Sequence, residues 1–137
     1  MKKLSIKQYE IISTIFILII GTLLHFTYKW SNNNTIVGIY SATNESTWEH
    51  LKLVFYPMLI TTIIGNILYK YKIPNYLCIK TKGIIISILF IIISFYTYSG
   101  IIGTNYGIIN ILLFIIFTFY PPNINLFLDP VTNTYGI

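Results

Sequence analysis

Long apolar runs alternate with short polar segments along the chain. The first run is Ile11–Thr27, and the polar segment Ser31–Thr47 separates it from a second run that ends near Tyr69. A third run, Gly83–Tyr98, is rich in isoleucine and phenylalanine. Runs of this length are typical of transmembrane helices, which need about 20 apolar residues. The pattern therefore predicts an all-α integral membrane bundle that forms a single domain.

The last apolar run is shorter than the others. Ile108–Tyr120 has 13 residues and would span about 20 Å as a helix, less than the roughly 30 Å hydrocarbon core of a bilayer. Pro121 and Pro122 end it. We predict about four transmembrane helices, roughly at 8–30, 47–70, 83–103 and 104–120, the last one short, and a tail at 121–137. Pro57 lies inside the second helix and should kink it.

The lysines orient the predicted bundle. Three of the nine precede the first helix and four lie between Lys70 and Lys82, so seven fall at one end. Cytoplasmic loops of membrane proteins carry an excess of positive charge. This distribution predicts a cytoplasmic N-terminus and places the Ser31–Thr47 loop outside the cell.

Composition supports the membrane class. The chain is 55% hydrophobic and 9% charged, whereas soluble domains carry roughly 25% charged residues. The net charge of +5 comes from lysines that flank apolar runs, so we read it as a topology signal and expect no nucleic-acid partner. All nine basic residues are lysine, a bias typical of an AT-rich genome, which suggests a bacterial plasma membrane protein.

Candidate chemistry is concentrated in the segment Ser41–Leu53. It holds Glu45, Glu49, His50 and Lys52, in a chain with four acidic residues and two histidines. Ser46 and Glu49 have the spacing of a capping box, which predicts a helix start near Thr47. Glu45 and Glu49 are four residues apart and would share a helix face, while His50 would point elsewhere.

These residues, with His25 on the first helix, predict a polar site at the outer interface. Ionisable groups at membrane depth are costly and raise a functional hypothesis by default. We expect His25, Glu45, Glu49 and His50 to bind a small ligand, a cation or a lipid head group. Secondary candidates are Tyr28, Trp48, Lys52, Asp129 and Tyr135.

Two alternatives remain open. The same cluster could serve a metal-dependent hydrolase, with Glu49 or Glu45 as base and the histidines as ligands. However, the spacing matches no known metal motif, so the sequence assigns no metal ligand, no cofactor and no catalytic residue. Alternatively, every polar residue has a structural role, and the chain is a subunit of a membrane complex. Four spans leave little room for a transporter, which favours a homo-oligomer or a partner subunit.

Most of the chain resembles a known family. The strings that carry the resemblance are Asn44-Glu45-Ser46-x-Trp48-Glu49-His50-Leu51-Lys52, His25-Phe26-x-Tyr28-x-Trp30-Ser31, Tyr96-Thr97-Tyr98-Ser99-Gly100 and the tail Asp129-Pro130-Val131-Thr132-x-Thr134-Tyr135-Gly136. They resemble small bacterial multi-pass membrane proteins catalogued as a domain of unknown function. The resemblance implies a membrane protein and carries no activity. A tail on the outer side would bring Asp129 and Tyr135 to the polar site.

Overall fold

The computed structural model describes residues 5–119, apart from the side chains of residues 117 and 119. This part of the chain contains four α-helices and one 3-10 turn, and no strand. The helices are α1 Ile6–Trp30, α2 Thr47–Tyr69, α3 Tyr76–Ile102 and α4 Gly107–Phe119. The predicted all-α class with a short last helix is confirmed.

A capping box that the sequence analysis did not identify starts α1. The Ser5 side chain accepts a hydrogen bond from the Gln8 backbone N–H, and the Gln8 side chain accepts one from the Ser5 backbone N–H. Each bond satisfies a donor that a helix start would otherwise leave unpaired. At the other end, Asn32 and Asn33 have positive φ. Asparagine tolerates this left-handed conformation better than most residues, so the chain turns there.

The start of α2 follows the prediction only in part. Ser46 is the N-cap, and its hydroxyl accepts from the Glu49 N–H at 3.3 Å. The reciprocal bond of a capping box is absent, because the Ser46 N–H donates to the Asn44 side chain instead. The helix then continues through Pro57, which is buried.

The helix α3 begins at Tyr76, earlier than the apolar run that starts at Gly83 would indicate. Hydropathy marks the part of a helix that matches the bilayer and not the polar turns that extend it. Asn75 in the left-handed conformation forms the junction, with φ of 62°. The extension carries Lys80, whose contacts are described below.

Two groups of buried side chains hold the helices together. One consists of Tyr9, Tyr69, Ile73 and Tyr76, at the end where α1 begins. The other lies deeper in the bundle and consists of Ile17, Val54, Met58 and Ile84. Each helix contacts the next one along the chain, and α1 also contacts α4. The result is an up-and-down bundle in which α1, α2 and α3 form the core.

Most other apolar side chains are exposed. They include Ile19, Ile67, Ile85 and Ile93, each at least half exposed. The helices α1, α2 and α3 are long and apolar enough to cross a membrane, whereas α4 is shorter. Exposed apolar side chains on such helices suit a lipid bilayer, because hydrocarbon solvates them as well as a protein core does.

Candidate functional site

The loop between α1 and α2 is anchored to α1 by Ser41. Its side chain is fully buried and accepts hydrogen bonds from the Thr27 hydroxyl at 3.0 Å and the Tyr28 N–H at 3.1 Å. It donates to the Leu24 carbonyl oxygen. These bonds hold the loop against the last turns of α1, four residues before Glu45.

Three of the predicted ligand-binding residues come together at this end of the bundle. His25 of α1, Glu45 of the loop and His50 of α2 offer ligand atoms that all lie within 4.8 Å of one another. The two imidazole rings are 5.2 Å apart between centroids. His50 Nε2 lies 3.5 Å from a Glu45 carboxylate oxygen. Both histidines are half-buried, and Glu45 is exposed.

The tautomer of His50 follows from its second contact. Its Nδ1 lies 2.8 Å from the Ser46 carbonyl oxygen, and because a carbonyl only accepts, Nδ1 must carry the hydrogen. In a neutral ring the lone pair is then on Nε2, which faces the Glu45 carboxylate. Two acceptors that face each other need a positive species, either a proton on Nε2 or a cation between them.

The donor set fits a transition-metal ion. Two histidines and one glutamate are a ligand set of catalytic zinc sites. Ligand atoms about 2.0–2.2 Å from a tetrahedral Zn²⁺ lie roughly 3.3–3.6 Å apart, so the cluster would have to contract from the observed separations, within 4.8 Å. His50 Nε2 and the nearest Glu45 oxygen are already 3.5 Å apart, so the contraction falls on the distances to His25. The Ser46 carbonyl orients His50 as a second-shell partner orients a metal-bound histidine.

Glu49 belongs to a different set of contacts. One of its carboxylate oxygens accepts from Lys52 Nζ at 2.8 Å and from the Thr43 N–H and hydroxyl, each at 3.0 Å. Lys52 also donates to the Gly38 carbonyl oxygen at 3.0 Å. Glu49 and Lys52 therefore tie the loop to α2, and the fold does not bring them to the histidines.

The secondary candidates lie outside the cluster or outside the described residues. Tyr28 packs against Gly38, where an added Cβ would lie 3.2 Å from its ring. Trp48 is 63% exposed in the first turn of α2. Asp129 and Tyr135 lie beyond the described residues, as does the predicted tail at 121–137.

The His25–Glu45–His50 cluster lies at the mouth of a cleft between the four helices. The cleft has a volume of about 560 Å³, within the range of small-molecule sites. Thr22, Asn105 and Asn110 add further polar groups to its lining. Asn110 belongs to α4, and Asn105 lies in the turn before this helix. The sequence did not predict them as site residues, because polar residues near a helix start are common.

A second ionic contact was also missed. Glu10 of α1 and Lys80 of α3 form an ion pair, with side chains that are 7% and 12% exposed. The second Glu10 carboxylate oxygen and the Tyr76 hydroxyl are buried without a hydrogen-bond partner among residues 5–119. Glu10 and Lys80 are 70 residues apart in the sequence, so no local sequence pattern could have predicted their contact. This pair lies at the end of the bundle opposite the cleft mouth.

The chain belongs to a family of unknown function, DUF6512, whose model matches residues 1–115. This confirms membership of a family without an assigned function, whereas the tail string at 129–136 lies outside the matched residues. The chain matches no curated protein and no solved structure. The matched range contains the three residues of the cluster and most of α4, but it transfers no activity, so function has to be argued from the site.

Proposed function

We propose that this protein is a multi-pass membrane protein that binds a divalent transition-metal ion through His25, Glu45 and His50, with Zn²⁺ as the best fit. The observation that carries the proposal is the geometry of His50. Its Nδ1 is committed to a carbonyl oxygen, and its Nε2 faces a carboxylate oxygen at 3.5 Å. A metal ion between these atoms turns two opposed acceptors into two ligands, and His25 supplies a third.

The charge pattern supports a site on the outer face of a bacterial plasma membrane. Lys70 and Lys72 lie in the α2–α3 turn, and Lys82 is exposed in the first turns of α3, at the same end as the start of α1. By the positive-inside rule this end is cytoplasmic. The mouth of the cleft, at the opposite end, then faces outward.

Binding is favoured over hydrolysis as the function. A metal-dependent hydrolase needs a general base within hydrogen-bond reach of the metal-bound water. Glu49, one of the two carboxylates considered for that role, is held by Lys52 and Thr43. Glu45, the other carboxylate, would itself be a ligand of the proposed metal ion. With three protein ligands, the fourth position of the metal is open to a bound molecule.

Isothermal titration calorimetry of the full chain in detergent tests the proposal. Chelator-treated protein should bind one Zn²⁺ per chain, and Co²⁺ should give the visible absorption of a tetrahedral site. Because each removes one ligand, His50→Ala and Glu45→Gln should each weaken Zn²⁺ binding by more than the roughly 10–100-fold typical of losing an outer-shell partner.

Glu49→Gln is the matched control. It makes the same change four residues away, and its amide oxygen still accepts from the Thr43 N–H, so Zn²⁺ affinity should stay unchanged. The proposal fails if the wild-type chain does not bind Zn²⁺, or if Glu49→Gln and Glu45→Gln weaken binding equally. Absence of binding together with loss of stability in Glu45→Gln would identify a plain His50–Glu45 ion pair.

A further inference from the structure

The cleft below the cluster is divided into a polar and an apolar part. On α2, His50 lies at the mouth and Val54 lies deeper, four residues along the helix, a rise of about 6 Å. On α4 the same change from a polar to an apolar lining residue occurs between Asn110 and Phe114. Ile91 of α3 completes the deeper part. Polarity therefore falls from the mouth of the cleft toward the middle of the bundle.

This gradient has the direction of the gradient within a lipid leaflet. The mouth lies near the ends of α1 and α3, which is the interface in a membrane orientation, and the deeper part lies at hydrocarbon depth. A soluble anion would fill only the mouth and leave the deeper apolar part unused. A molecule with a polar head and an acyl chain matches both parts of the cleft.

The mouth also favours a phosphate oxygen. A divalent metal held by two neutral histidines and one carboxylate keeps one positive charge and one free position. In the lining of the same cleft, Asn110 Nδ2 donates to Asn105 Oδ1 at 2.7 Å, and both amides contact the Tyr98 hydroxyl. Two amide groups and one hydroxyl carry five hydrogens, of which these three contacts use at most three. At least two remain to donate to oxygen atoms of a ligand.

We infer that the cleft binds a membrane phospholipid, with a phosphate oxygen on the metal ion held by His25, Glu45 and His50 and an acyl chain against Val54 and Phe114. The inference rests on the proposed metal site and names its ligand. The phospholipid enters as a ligand, and no bond of it is broken.

Native mass spectrometry of the full chain, with phosphatidylglycerol added to the detergent, tests the inference. The Zn²⁺-loaded protein should retain one lipid, and removal of Zn²⁺ by chelation should release it. Ile111→Trp should abolish lipid retention and leave Zn²⁺ affinity unchanged, because Ile111 lines the cleft and is 60% exposed, so a larger side chain enters the cleft without disturbing the core. Leu112→Trp is the matched control: Leu112 is 51% exposed on the same helix, outside the cleft lining.

The outcomes separate the inference from the proposed metal site. If Zn²⁺ binds but lipid retention is absent, independent of Zn²⁺ or insensitive to Ile111→Trp, the inference is overturned and the metal site stands. If inorganic phosphate displaces the lipid at equal concentration, only the mouth is used, and the acyl-chain part is overturned. If Zn²⁺ does not bind, both are overturned.

Discussion

Removing Lys80 should destabilise the bundle more than any other lysine substitution in the described part of the chain. The Glu10 carboxylate is 7% exposed, and its one hydrogen-bonded oxygen depends on Lys80. Breaking a buried ion pair from one side costs about 3–5 kcal/mol, because the remaining charge stays buried without a partner. Lys80→Met should therefore lower the free energy of unfolding by about this amount.

Removing Glu10 should lower the free energy of unfolding by less than removing Lys80. Lys80 lies in the second turn of α3, where a long side chain freed from Glu10 can extend its ammonium group toward the membrane interface. The loss of unfolding free energy in Glu10→Met should thus lie at or below the lower end of the range given for Lys80→Met. The double variant should be close to the wild type, since replacing a whole buried ion pair with apolar residues of similar volume is often neutral or stabilising.

The assay is SDS-induced unfolding in mixed micelles, followed by far-UV circular dichroism. Lys82→Met is the matched control, because Lys82 is exposed two residues further along the same helix, and it should leave the unfolding midpoint unchanged. The reasoning is refuted if the two single effects simply add in the double variant, or if Lys80→Met has no larger effect than Lys82→Met. Either result would mean that the ion pair is not buried in the protein as it folds in a micelle.

Three further predictions concern the packing and the loop. Gly65→Ala should lower stability by about 1–3 kcal/mol through overpacking, because an added Cβ would lie 2.0 Å from the Tyr76 hydroxyl. Gly100→Ala is the control and should not lower stability, because an added Cβ there has no neighbour within 4 Å. Equal effects of the two substitutions would contradict the prediction. Ser41→Ala should cost about 1–3 kcal/mol in the same unfolding assay, since it removes a buried hydroxyl and leaves its half-buried partners unsatisfied. Unchanged stability would show that the loop is held by other contacts. A membrane-impermeant maleimide should label Thr35→Cys in a Cys78→Ala background on intact cells, whereas labelling only after permeabilisation would place the cleft mouth in the cytoplasm.

The sequence by itself determined the all-α class, with three long apolar helices and a short fourth. Apolar run length specifies membrane-compatible helices because backbone polar groups in hydrocarbon must be paired within the helix. The local sequence also specifies the start of α2, since the Ser46 side chain caps this helix. Likewise, the concentration of acidic and imidazole groups near Ser41–Leu53 identified the end of the bundle where the candidate site lies.

Only the tertiary structure decided which of these groups meet. The sequence predicts that Glu45 and Glu49 share a helix face, yet one lies beside His50 and the other beside Lys52. The helices α2 and α3 are apolar on nearly every face, so the sequence does not say which face turns inward. That rotation is decided by close packing, such as Tyr76 against Gly65, and it also joins Glu10 to Lys80. Local patterns specify helices, whereas contacts between distant side chains specify the site.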